Sequence, residues 1–177
     1  MGRPLYRQLG FEDECPIERW ARIGGTRELP GAPGGARPRE PAPVAAAAAL
    51  DCGAFGADRS ELLSLLAAGD SADLPGEGFA MGRPGSRAAY FGPCVARSPE
   101  AARTLLEWFL ARRQGETVYW DLLPGNPAAI RLARAAGFEP LRRLVRMARP
   151  GRARQPPDEP LRRRDSDVFA IAGFEYG

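Results

Sequence analysis

Apolar positions along this chain switch repeatedly between a spacing of three to four and a spacing of two, the signatures of helices and strands. Residues 44–50 are alanine-rich and helical. Asp58-Arg59-Ser60-Glu61 caps a second helix that opens into Leu62, Leu63, Leu65 and Leu66. Residues 78–81 and 88–96 read as strands, joined through the turn sequence Arg83-Pro84-Gly85-Ser86. Ser98-Pro99-Glu100 starts a further helix, with serine at the N-cap and proline in the first turn, and Leu105, Leu106, Phe109 and Leu110 form its stripe. Residues 117–122 are a strand and 127–136 a helix, and 141–147 and 168–171 supply the last strands. That order predicts an α/β fold, a mixed sheet with helices on both faces.

One unit occurs twice: an amphipathic helix, a glycine that ends it, a phenylalanine and then an extended strand. Leu5, Arg7, Gly10, Phe11, Glu12, Arg19, Ala21, Arg22 and Gly24 recur without a gap as Leu132, Arg134, Gly137, Phe138, Glu139, Arg146, Ala148, Arg149 and Gly151, at an offset of 137 − 10 = 127. Residues 1–23 are therefore expected to be the C-terminal remnant of a first copy. Residues 24–43, rich in proline, glycine and arginine, are expected to be a linker, and residues 44–177 a complete domain. A loop over 151–167 has the linker's composition. The apolar face of Leu5, Leu9, Phe11 and Ile17 should dock on the second copy or on another chain, so a homo-oligomer is one expectation.

Composition narrows the chemistry. All 25 basic residues are arginine, and histidine is absent as well. A Schiff-base amine, an imidazole base and the commonest metal ligand are thereby excluded. Carboxylates, tyrosine, cysteine, backbone amides or a cofactor must carry any reaction. A net charge of +3 does not call for a nucleic-acid partner. Cys15, Cys52 and Cys94 are too few and too scattered for a disulfide framework or a zinc site. The N-terminus lacks an apolar signal segment, and the longest apolar run is too short for a bilayer, so no membrane partner and a cytoplasmic location are expected.

The stretch Asn126-Pro127-Ala128-Ala129-Ile130-Arg131-Leu132-Ala133-Arg134-Ala135-Ala136-Gly137-Phe138 resembles the closing motif of the GNAT N-acetyltransferase superfamily. Leu50-Asp51, residues 55–59 and residues 168–174 look like the C-terminal half of tandem GNAT proteins. The resemblance implies a three-layer α-β-α fold with a mixed, largely antiparallel sheet. It also implies transfer of acetyl from acetyl-CoA to the amine of a small-molecule substrate. In that family a bulged fourth strand splays from the fifth, and the two hold the pantetheine arm. Residues 90–96 fit the fourth strand, and Gly92-Pro93 inside them marks a bulge. The cofactor-binding candidates are then Cys94, Val95, Ala96, Arg97 and Asn126, and the catalytic candidates Asp121 and Tyr6. No metal is implied.

Two departures keep a rival open. Arg97-Ser98-Pro99-Glu100 stands where the family has a glycine-rich diphosphate loop, and Ala133 stands where it has a tyrosine that protonates the leaving thiolate. Tyr6 occupies that tyrosine's place in the first copy. Bland readings stand beside these: Asp121 starts a turn, Asn126 caps a helix, and Tyr6 is a helix residue on a docked fragment. The rival to an active acetyltransferase is a catalytically degenerate GNAT-like binding or regulatory domain that depends on another GNAT domain.

Overall fold

A computed structural model describes residues 2–24, 37–149 and 164–174. Most of the expected linker and of the expected loop therefore lies outside the described residues, at 25–36 and 150–163. The elements are α1 (Arg3–Gln8), β1 (Glu12–Arg22), α2 (Val44–Phe55), α3 (Ser60–Leu66), β2 (Asp70–Leu74), β3 (Gly78–Arg83), β4 (Ala89–Ala96), α4 (Pro99–Arg112), β5 (Val118–Leu122), α5 (Pro127–Ala135), β6 (Glu139–Ala148) and β7 (Val168–Ala170). The strands form one sheet in the order β2-β3-β4-β5-β1-β6, with β7 paired to β4. Pairing is antiparallel except between β4 and β5.

Side-chain alternation along the strands builds the three layers. On β3, Ala80 joins the core beneath α4 and α5, whereas Phe79 and Met81 join the one beneath α2 and α3. On β4 the alternation slips by one: Ala89 and Phe91 face the first core, and so do Cys94 and Ala96. The slip is the expected bulge, because Met81 alone lies opposite Gly92 and Pro93, between the pairs Ala80↔Cys94 and Gly82↔Phe91. α4 buries Leu105, Leu106, Phe109 and Leu110, and Ser98 caps it by accepting from the Ala101 amide at 3.1 Å. After α5 the chain turns at Gly137 with φ +79°, and Phe138 packs edge-on against Trp120 at 5.3 Å.

β2 is a strand that hydrophobic pattern alone does not reveal. Its Asp73 is buried because Arg39 grips it with two side-chain bonds (2.9 and 2.7 Å) and two backbone bonds. The C-terminal end of the expected linker, residues 37–43, is thus pinned to the sheet edge rather than free. A second buried carboxylate, Asp51 on α2, is held bidentately by Arg59 at 2.9 and 2.7 Å.

Of the expected remnant, residues 12–22 are likewise part of the sheet. β1 lies between β5 and β6, burying Ile17 and Trp20. Arg3 and Arg7 both bond Asp13, holding its carboxyl down to about 2 and tying α1 to its own strand. The pairing of β1 with β6 is a pairing of the two copies with each other, and it is self-complementary. Glu12 faces Ala148 while Ala21 faces Glu139, and each of these pairs is the other's image under the 127-residue offset (139 − 12 = 127 and 148 − 21 = 127). Ile17 and Leu144 face each other and are themselves counterparts. Even the irregularities match: the register skips Glu14 in one strand and its counterpart Leu141 in the other. The register is thus symmetric about the Ile17–Leu144 pair.

Candidate functional site

Past the bulge, β4 and β5 part company. They pair only through Ala89, Tyr90 and Phe91 against Val118, Tyr119 and Trp120. The fork that opens beyond this point is filled by β7. On one side Cys94 and Val95 pair with Ala170 and Val168. On the other, the Ile171 amide donates to the Asp121 carbonyl at 2.9 Å, and the Trp120 indole donates to the Phe169 carbonyl at 2.8 Å. Asn126 closes the end of the fork. Its side-chain amide donates to the carbonyls of Ser166 and Val168, both at 3.0 Å, while its oxygen caps α5 by accepting from Ala128 and Ala129. Gly92 makes the approach possible, since a Cβ there would sit 2.2 Å from the Ile171 carbonyl oxygen and φ is +139°.

The candidate residues fall into separate surroundings. Cys94, Val95 and Ala96 are buried, and the fork-side edge of the first two is taken by β7. Burial with no charged partner pushes the Cys94 thiol far up. Arg97 is exposed, and its backbone amide donates to the Glu77 carbonyl at 2.8 Å. Asn126 is 1% exposed and holds the plug as well as the helix. Asp121 is 3% exposed and accepts both Arg19 bonds at 2.7 Å. Arg19 itself lies 3.8 Å over the Phe174 ring, with Tyr90 and Tyr119 each at 5.1 Å. Tyr6 is half exposed on α1, edge-on to Phe11, in a groove shared with Ile17, Leu144 and Arg146. Asp121 and Tyr6 thus have different neighbours, and Asp121 is occupied by an ion pair. What the sequence reading missed is the set Trp120, Ile171 and Arg19. Only the lone glycine–proline step in β4 signalled that another backbone comes close.

The helix after β4 offers an anion little. Ser98 takes the Ala101 amide, the Ala102 amide donates to the Ser98 carbonyl, Pro99 has no amide, and Glu100 sets a carboxylate in the first turn. The residues present therefore do not fit acetyl-CoA held in the way the family's splayed strands and diphosphate loop would hold it. Among the described residues no group of histidine, cysteine or carboxylate side chains could hold a metal ion, and no helix is long and apolar enough to cross a membrane.

A mixed α/β body with a mostly antiparallel sheet, a bulged fourth strand and a fork beside it is an acetyltransferase architecture. The chain belongs to the GNAT acetyltransferase family: residues 47–161 match the family model described as "Acetyltransferase (GNAT) domain". The fold is similar to that of an acetyltransferase from Pyrococcus horikoshii, at a TM-score of 0.78 and 21% identity over 99% of this chain and 57% of that one. It is also similar to a GNAT-family acetyltransferase from Novosphingobium aromaticivorans DSM 12444 (TM-score 0.58, 20% identity, 78% of this chain and 65% of that one). A GCN5-related N-acetyltransferase from Sphaerobacter thermophilus follows at 0.57 and 23%, over 85% of this chain and 57% of that one. The chain thus spans less than two thirds of the length of each. No curated protein matches it.

Proposed function

We propose that this chain serves a GNAT-type, acetyl-CoA-dependent N-acetyltransferase as its closed, non-catalytic module, and that acetyl reaches the amine in another GNAT body. The observation that carries this reading is the filled fork. The backbone edge that a pantetheine arm would pair with is engaged by residues 168–171, through bonds from β4, Trp120, Asn126 and Asp121. Three further features support it: the proline and glutamate at the start of α4, the alanine at position 133, and the ion pair that occupies Asp121. Family membership favours a second reading, acetyl transfer by this same body. That reading requires β7 to leave the fork, which would expose Phe169 and Ile171 and strand the buried indole and amide donors at about 1–3 kcal/mol each.

Isothermal titration of acetyl-CoA into the chain tests the choice. The expected result is no saturable heat at sub-millimolar ligand. A dissociation constant on the order of 1 μM, about −8 kcal/mol, would require an open cleft and would overturn the proposal.

A further inference from the structure

The symmetry between the copies is complete on one side only. β1 has a neighbour on each edge: β6, and β5, which runs antiparallel with Arg19 opposite Asp121 and Arg22 opposite Val118. Its counterpart β6 has β1 on one edge and, among the described residues, no strand on the other. An uncovered strand edge offers a row of backbone donors and acceptors ready for another strand.

The helices show the same imbalance. α5 presses Ala133 and Ala136 into the core, where they are 0% and 1% exposed. Their counterparts are Tyr6 on α1 and Leu9 at its C-cap, which are 49% and 53% exposed beside Leu5 at 58%; α1 has no buried residue. Larger apolar side chains thus stand on the surface at the positions where the second copy buries alanines. Leu141, on β6, is 58% exposed as well. One missing neighbour would satisfy both features, because the strand that pairs with β1 belongs to the same body whose core receives α5.

We infer that the free edge of β6 and the apolar face of α1 form one docking site for a second GNAT body, which presents its fifth-strand edge to residues 145–149. The inference rests on the module reading above and deepens it by assigning the partner and its register. Applying the offset to β1's own pairing sets an acidic residue of the partner opposite Arg146 in register, as Asp121 lies opposite Arg19 (146 − 19 = 127), beside the bond of 2.8 Å that Arg146 already donates to Glu14. A second copy of this chain cannot supply the strand, since its β5 edge is already covered by its own β1. The similar Pyrococcus horikoshii chain, of which 57% is matched, has the length to carry such a body besides the part that resembles this one.

The probe is a synthetic peptide of residues 116–124, spin-labelled at its N-terminus and titrated into the full chain while amide signals are followed by NMR. Strand addition of this kind relies on main-chain bonds, so a dissociation constant up to about 1 mM is expected for the isolated strand. Shifts should fall on residues 145–149, with broadening by the label centred near Arg149 and absent from Glu139. The peptide carrying Asp121→Arg should bind about 3- to 5-fold more weakly, because it sets like charges opposite each other. No shifts, shifts elsewhere, a reversed label pattern or equal affinity of the two peptides would overturn the inference. So would sedimentation showing the chain to be a dimer with its β6 amides protected. None of these results depends on acetyl-CoA, so the docking site and the closed fork fail separately.

Discussion

Gly92 and Asn126 are the residues on which the closure of the fork turns. Gly92→Ala meets the Ile171 carbonyl and a strained φ together, and should cost about 1–3 kcal/mol in a urea melt. Asn126→Ala should cost about 2–4 kcal/mol: about 1 for the lost helix cap, and the remainder for the Ser166 and Val168 carbonyls left without their donor. The cap alone is legible in the sequence, so the expected cost grows once the plug is known. A result near 1 kcal/mol for Asn126→Ala would mean that its amide does not hold β7. Thiol chemistry reads the same region. Cys52 is exposed and should react with a disulfide reagent at once, the half-buried Cys15 slowly, and Cys94 only after unfolding. Rapid modification of all three in the native protein would place Cys94 at an open cleft.

At the scale of elements, β1 is the surprise that packing explains. Read alone, residues 1–23 carry an apolar face and nothing to bury it against. In the sheet they supply Ile17 and Trp20, and they separate β5 from β6. Deleting residues 1–23 should therefore strip β6 of its only described neighbour and abolish a single cooperative melt; an unchanged melting curve would contradict the strand order. The helices α4 and α5, their caps and the bulge in β4 were legible because each rests on local signals: Ser98, Asn126, and the Gly92-Pro93 step. β2 was not, because its buried polar residue depends on Arg39, which lies 34 positions away. Nor was the place of β7. Its residues read as a strand, but nothing in 168–171 says that its partner is Cys94 and not another edge of the sheet.

The described residues form one sheet in which β1, far off in sequence, lies between β5 and β6, and the fork beside β4 is closed by β7. Under the proposed division of labour between bodies, family membership and the closed fork are compatible. Amide hydrogen exchange at Ile171 reads the closure of the fork itself, because that amide donates across it to the Asp121 carbonyl. With the fork closed, Ile171 exchanges as slowly as the core of β4, and acetyl-CoA at about 1 mM leaves its rate unchanged. Exchange as fast as at an exposed loop, or protection lost on adding acetyl-CoA, would show that the fork opens and that β7 does not close it.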